Sequence, residues 1–388
     1  MNNFFAIYSY ELKKILSKRV FQVMFVLSLV LMVIVSVFDS DLSHSHITLN
    51  GSISASDFNK ITKEKSRDIS GCRIDDKLLG EMRNDILTEA TKDGYVTWDD
   101  INAFLYDRTT EHFVQLPNGE RCTVGTALSY AANKTGWYEL FTYVLYNTGY
   151  EQAVLLAKSD EINAPLTFYY TPAYDAIADT LFMFAWMLFI LLAACLSGTF
   201  ADERSLGTND LIRSSKNGMK NICFHKLLAG LTVSLLTTVI YLVVSFLVCG
   251  LIFGFDGADA PIQSIVMECP YDITVKQGAF ITLGIMMLAS TVFATGTMLL
   301  SEFIGSTQAL SVRAVIFILS LFNIPLKSVE KYWELRPSAV LNISMFADDT
   351  IYNFAGKELD YLQSGVFVMV LLLVLYSVVT IVHYRKTI

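Results

Sequence analysis

Residues 200–226 read FADERSLGTNDLIRSSKNGMKNICFHK, a charged, glycine-containing stretch set between two long apolar runs, Ala176–Thr199 and Leu227–Phe253. At about 1.5 Å per residue each run is long enough to cross the roughly 30 Å hydrocarbon core of a bilayer. The stretch between them therefore belongs at one face of a membrane. Acidic Asp202, Glu203 and Asp210 stand among its basic residues, and Gly207-Thr208 interrupts it. A loop that only followed the charge bias of membrane topology would need the basic residues alone.

The whole composition agrees with a membrane protein. Of 388 residues, 53% are hydrophobic and 17% charged, and the mean hydropathy is +0.45; an ordinary soluble domain is more polar than this. The net charge of −8 carries little by itself, because the division of charge between the two faces is what sets orientation.

Residues 20–38 form the first expected span. Lys13, Lys14, Lys18 and Arg19 precede it and keep the N-terminal side cytoplasmic under the positive-inside rule. A secretory leader, the rival reading, fits poorly: the apolar run is too long, no small-residue cleavage site follows it, and about twenty residues precede it. Residues 1–19 carry their own pattern, with Phe4, Phe5, Tyr8, Leu12, Ile15 and Leu16 on one helical stripe, which predicts an amphipathic helix at the membrane surface.

Residues 39–175 are polar and acidic and fall on the far side, where helices are expected over Asp75–Ala90, Asp99–Phe113 and Tyr138–Leu156. Residues 176–388 hold the remaining spans: Ala176–Thr199, Leu227–Phe253, Gln277–Leu300, Ser306–Leu326 and Ser364–His383. The fifth contains Arg313, Asn323 and Pro325. It is retained because the basic Tyr384-Arg385-Lys386 end is placed inside, which requires an even number of crossings. Arg313 can snorkel to the headgroups or face the bundle interior. Residues 327–363, with Trp333 and Pro337, read either as a segment dipping into the outer leaflet or as a surface loop with an aromatic belt. The fold expected is an all-α polytopic membrane protein of six transmembrane helices, with a mainly helical domain between the first and second.

No catalytic apparatus is legible. The phosphate-binding loop pattern G-x-x-x-x-G-K-[ST] is absent, so the chain is not expected to hydrolyse ATP by itself. The five histidines, His44, His46, His112, His225 and His383, are scattered. Glu89–Asp100 resembles half a calcium loop, with Asp93-Gly94 at the turn and Asp100 at the last ligand position. Glu89 and Thr91 are poor ligands there, and a turn followed by a Thr97/Asp100 capping box accounts for the same residues. His44 and His46 near Asp39 and Asp41 lack an identifiable fourth metal ligand, and a flexible juxtamembrane loop is the expected reading. Cys72 and Cys122 are candidates for one disulfide on an oxidising side, which leaves Cys269 over.

The amphipathic helix containing ELKKILSKRVFQ, the six spans, the F-x-x-E-x-x-x-G-T loop with Leu211, Arg213-Ser214 and Lys226, and the HYRKTI end together resemble the ABC-2 type permeases, the membrane subunits of ATP-binding cassette exporters. The resemblance covers roughly two thirds of the chain. It implies an elbow helix carrying Lys13, Lys14, Lys18 and Arg19. It also implies a coupling loop in which Glu203, Arg204, Gly207, Thr208, Leu211, Arg213 and Lys226 dock onto a separate ATPase. ATP and Mg would be held by that partner, a second permease subunit would complete the transporter, and no nucleic acid is implied. On the same resemblance, Asp179 and Arg313 are candidates for the translocation path between protomers. The large outer domain departs from a minimal member and leaves the cargo open. A membrane-anchored sensor or assembly protein, whose outer domain binds a ligand without transport, is the rival class; an integral membrane enzyme would need converging polar groups that the sequence does not offer.

Overall fold

A computed structural model describes residues 2–39, 45–48, 51–54, 70–71, 113–115, 121–123, 169–208, 218–266, 269, 271–322, 331–341, 343–346, 348, 350–354 and 356–386. These residues are mostly helical. The helices are α1 (Asn2–Leu16), α2 (Arg19–Asp39), α3 (Pro172–Leu196), α4 (Ala201–Ser205), α5 (Gly218–Phe253), α6 (Val275–Phe303), α7 (Ser306–Leu319) and α8 (Tyr361–Lys386). Five of them, α2, α3, α5, α6 and α8, are long and apolar enough to cross a membrane.

The centre of the bundle is α3 against α6. Helix α3 is apolar on every side, and Phe184, Ala185, Leu188, Phe189, Leu192 and Leu196 are all buried, as expected of a helix surrounded by others. Phe189 stacks on Phe293 of α6 with ring centroids 4.6 Å apart, and Phe317 of α7 stands edge-on to both. Helix α6 is rich in serine and threonine, yet their hydroxyls are satisfied: Thr282, Thr295 and Thr297 each donate to the carbonyl four residues back. Thr238 of α5 also reaches across to Ser290 at 2.9 Å. Close approach of α5 and α6 depends on Gly230, where a Cβ would stand 2.4 Å from the Met298 sulfur. Helices α2 and α8 lie outside this centre, and the valines and leucines on their outer faces are exposed, which suits helices whose solvent is lipid.

The fifth expected span, Ser306–Leu326, is helical over the 14 residues of α7, about 21 Å at 1.5 Å per residue against the roughly 30 Å of a bilayer's apolar core; positions 323–326 lie outside the described residues. Its end is set by competition for backbone carbonyls. The Ser320 carbonyl accepts from Arg336 Nε at 2.6 Å and Ser338 Oγ at 3.1 Å, and the Phe322 carbonyl accepts from Trp333 Nε1 at 2.9 Å. The described residues agree with an all-α polytopic membrane fold, to which three short two-stranded antiparallel hairpins are added, β1 (Ser45–Thr48) with β2 (Gly51–Ser54), β3 (Phe113–Gln115) with β4 (Arg121–Thr123), and β5 (Tyr352–Phe354) with β6 (Lys357–Leu359). β-Branched and aromatic residues at Ile47, Ile53, Phe113 and Val114 favour extended backbone. The segment holding His46 is thus a strand where a loop was expected, and Phe113 opens a strand where a helix was expected to end.

Described residues between 331 and 361 contribute to the core. Leu335, Val340, Leu341, Met345, Phe346, Tyr352 and Tyr361 are buried in the same cluster as the bundle helices. Tyr352 donates to the Lys331 carbonyl at 2.8 Å and Tyr361 to that of Glu334 at 3.0 Å. Burial, with Asp348 and Glu334 nearby, pushes the Tyr352 phenol far above its ordinary value, so it stays a donor. This segment and the 254–274 turn cap one end of the bundle. In that turn Gln263 Nε2 donates to the carbonyls of Cys269 and Tyr271, and Thr274 and Gln277 form the capping box that opens α6.

Candidate functional site: a buried charge junction

At the end of the bundle opposite the cap, α1, α4 and α5 meet through charges. After α3 the chain turns at 197–200 and makes the single-turn helix α4. The Phe200 and Ala201 amides at its start both donate to Ser301 Oγ of α6, at 3.0 and 3.1 Å. Its end is closed by Gly207 with φ +68, so the Thr208 amide can reach back to the Glu203 carbonyl at 3.0 Å. That left-handed cap favours glycine because it has no Cβ to clash.

Glu203 is buried and takes two lysines on one oxygen: Lys14 of α1 at 2.5 Å and Lys226 of α5 at 2.6 Å. Lys226 is fully buried. It also lies 3.7 Å from Glu11, donates to the Thr199 carbonyl at 3.0 Å and sits 5.4 Å from the Phe200 ring centre. Glu11, Glu203, Lys14 and Lys226 thus form a charge-balanced set, and balance is what makes burial of four charges tolerable. Burial alone would lower the Lys14 pKa, but the Glu203 hydrogen bond and the charges of Glu11 and Glu203 outweigh it and hold the ammonium above its ordinary value. Lys18 and Asp202 add a partly exposed pair at 3.0 Å.

Helix α4 is tied to the rest of the bundle as well. Arg204 donates to the carbonyls of Ser301 and Glu302 at 2.6 Å and of Ile304 at 3.2 Å, a cation on the C-terminal end of α6 where the helix dipole favours it. Glu302 lies 3.3 Å from His383 Nδ1 of α8, and Phe200 packs near Tyr384. A displacement of α4 is therefore felt by α1, α5, α6 and α8. Beyond it, Leu206 is 75% exposed and Gly207 and Thr208 are exposed with it.

Of the residues singled out in the sequence, Lys14, Lys18, Glu203, Arg204 and Lys226 converge here. Lys13 and Arg19 are exposed on the other side of α1 and α2. Glu203 and Lys226 are internal ties, so within 200–208 the surface open to a partner is Arg204–Thr208. Leu211 and Arg213 lie outside the described residues, as do Cys72, Asp93 and Asp100; Cys122 stands in β4 opposite Val114. Asp179 is on the second turn of α3. Arg313 is the eighth residue of α7 and is buried in the bundle. Phe5, expected on the buried stripe of α1, is 62% exposed, whereas Glu11 on that stripe is buried. Glu11 was not singled out, yet it stands three residues after Tyr8 and four before Ile15, a carboxylate on the apolar face that signals a buried cation partner. Among the described residues no group of side chains could hold a metal ion.

Compared with protein-family models, curated proteins and solved structures, the chain gives no significant match.

Proposed function

We propose that this chain is the permease subunit of an ATP-binding cassette transporter, an exporter in the plasma membrane, with the charge junction at its cytoplasmic end. In this reading residues 200–226 receive motion from a separate ATPase, which holds ATP and Mg, and a second permease subunit completes the translocation path. The chain itself is not an enzyme. One observation supports this above the others: an exposed turn, Leu206–Thr208, is joined without slack to a buried charge set that links α1, α4 and α5. A two-state transporter needs a handle whose displacement biases the packing of several helices together, and a topological loop does not.

The experiment is copurification of the intact chain with a soluble nucleotide-binding subunit. Leu211→Asp and Arg213→Glu are expected to abolish recovery of that subunit while the chain still elutes as a folded, monodisperse species. A chain that recruits no nucleotide-binding subunit, and that keeps its function with both residues replaced, excludes the reading.

A further inference from the structure

Arg313 carries a charge that the described fold does not neutralise. It is 7% exposed, and with the seven residues of α7 before it, it lies about 10 Å from the start of that helix. Its guanidinium carbon stands 3.9 Å from the centre of the Phe293 ring, and Nη2 donates to the Phe293 carbonyl at 3.2 Å. Nε is buried without a hydrogen-bond partner. Among the described residues no carboxylate is within ion-pair distance of it. The position is made for the guanidinium: a Cβ at Gly296 would stand 3.2 Å from both Nη atoms. An unpaired cation in a membrane bundle is costly, and ionisable residues there mark sites for ions or charged ligands.

The partners present do not meet that cost. The Phe293 ring, one carbonyl and the nearby phenol of Tyr376 are weak company for a group with five N–H donors. The unpaired Nε–H belongs to the planar fork that carboxylates and phosphates accept in bidentate fashion. The surroundings are otherwise aromatic, with Phe189 stacked on Phe293 and Trp186 edge-on to Phe317.

We infer that Arg313, seated on Phe293 beside Gly296, is an anion-binding site within the bundle, taking a phosphate or carboxylate on its free guanidinium edge. The site requires no ATPase and stands apart from the function proposed above. Its chemistry is common to the headgroup of an anionic lipid and to a free oxyanion, and the test separates them.

The full chain is reconstituted in phosphatidylcholine nanodiscs, and its thermal unfolding is followed with added phosphatidylglycerol in one arm and inorganic phosphate in the other. In the wild type, phosphatidylglycerol is expected to raise the midpoint by several degrees if a lipid headgroup is the occupant, and phosphate to do so if a free anion is. In Arg313→Gln the responsive arm is expected to be flat. Arg313→Lys keeps the charge but not the fork, and binding is expected to weaken about tenfold, the worth of one charge-assisted hydrogen bond. Gly296→Ser keeps the arginine but crowds it and is expected to weaken binding as well; these two variants carry the test if Arg313→Gln does not fold. No shift in either arm, or the same shift in wild type and all variants, overturns the site. Recovery of an ATPase is not measured here, so this result and that of the copurification are independent.

Discussion

The two ends of the bundle are held by different chemistry. At the cap, side chains bind backbone: Tyr352 to Lys331, Tyr361 to Glu334, Arg336 and Ser338 to Ser320, Trp333 to Phe322. At the junction, Arg204 and Lys226 also bind backbone carbonyls, but side chains bind one another as well: Lys14 and Lys226 to Glu203, Lys18 to Asp202. A carbonyl is fixed in the chain, so the cap bonds hold one path of irregular backbone and no other. Two side chains carry their own rotatable bonds, and a lysine between two glutamates can exchange one for the other. The cap is thus built to keep its shape and the junction to keep its charge balance while shape changes.

This contrast can be broken in order of expected effect. Lys226→Ala leaves buried Glu11 without its lysine partner and takes one of two lysines from Glu203, and removing one member of a buried pair costs about 3–5 kcal/mol; a steep fall in the thermal midpoint of the purified chain is expected, and an unchanged midpoint would mean the junction does not bear on stability. Arg336→Ala removes a charged donor from two carbonyls of the cap, at about 1.5–3 kcal/mol for a hydrogen bond to a charged group. Its effect should be on stability alone, without loss of partner recovery. Tyr352→Phe deletes one neutral hydrogen bond, about 1 kcal/mol, and should lower the midpoint by less than either. Lys18→Ala opens a partly exposed pair worth under about 1 kcal/mol, and the small difference from wild type should shrink further in high salt.

The junction also predicts a pH response. The Lys14 pKa is raised in the folded chain above the 10.5 of a free lysine. Its contribution is therefore complete below pH 10.5 and is lost as pH rises through the raised value. An alkaline titration of the unfolding midpoint should show this loss in the wild type and a shallower one in Lys14→Gln; identical alkaline slopes would remove Lys14 from the junction's energetics.

The spans were legible because hydropathy is a local sum. Leu227–Phe253 and Ser364–His383 sit inside α5 and α8, and Gln277–Leu300 inside α6, whose start is set by the Thr274/Gln277 capping box. Helix α7 ends before the apolar run does, at Leu319, because the donors that take up the carbonyls beyond it, Trp333, Arg336 and Ser338, come from a later segment that hydropathy does not weigh. The junction was half legible. Charge and spacing marked residues 200–226, and Lys14 and Lys18 were marked as topology signals. That Glu203 and Lys226 face each other, with Glu11 behind them, depends on α1 lying along α5, which Tyr8 reports by its hydrogen bond to Thr232 at 2.8 Å. No spacing rule connects residues so far apart in the chain.

The shortness of α7 has a consequence for the surrounding lipid. On that flank the protein offers an apolar helical wall of about 21 Å, against about 43 Å for the 29 residues of α6. Acyl chains that meet α7 must compress or tilt, at a cost of fractions of a kcal/mol for each ångström of mismatch. Bilayers of shorter acyl chains fit this flank better, which makes chain length itself an effector of the fold. Reconstitution across a series of phosphatidylcholines should place the highest unfolding midpoint at a thinner bilayer than the other long helices alone would select.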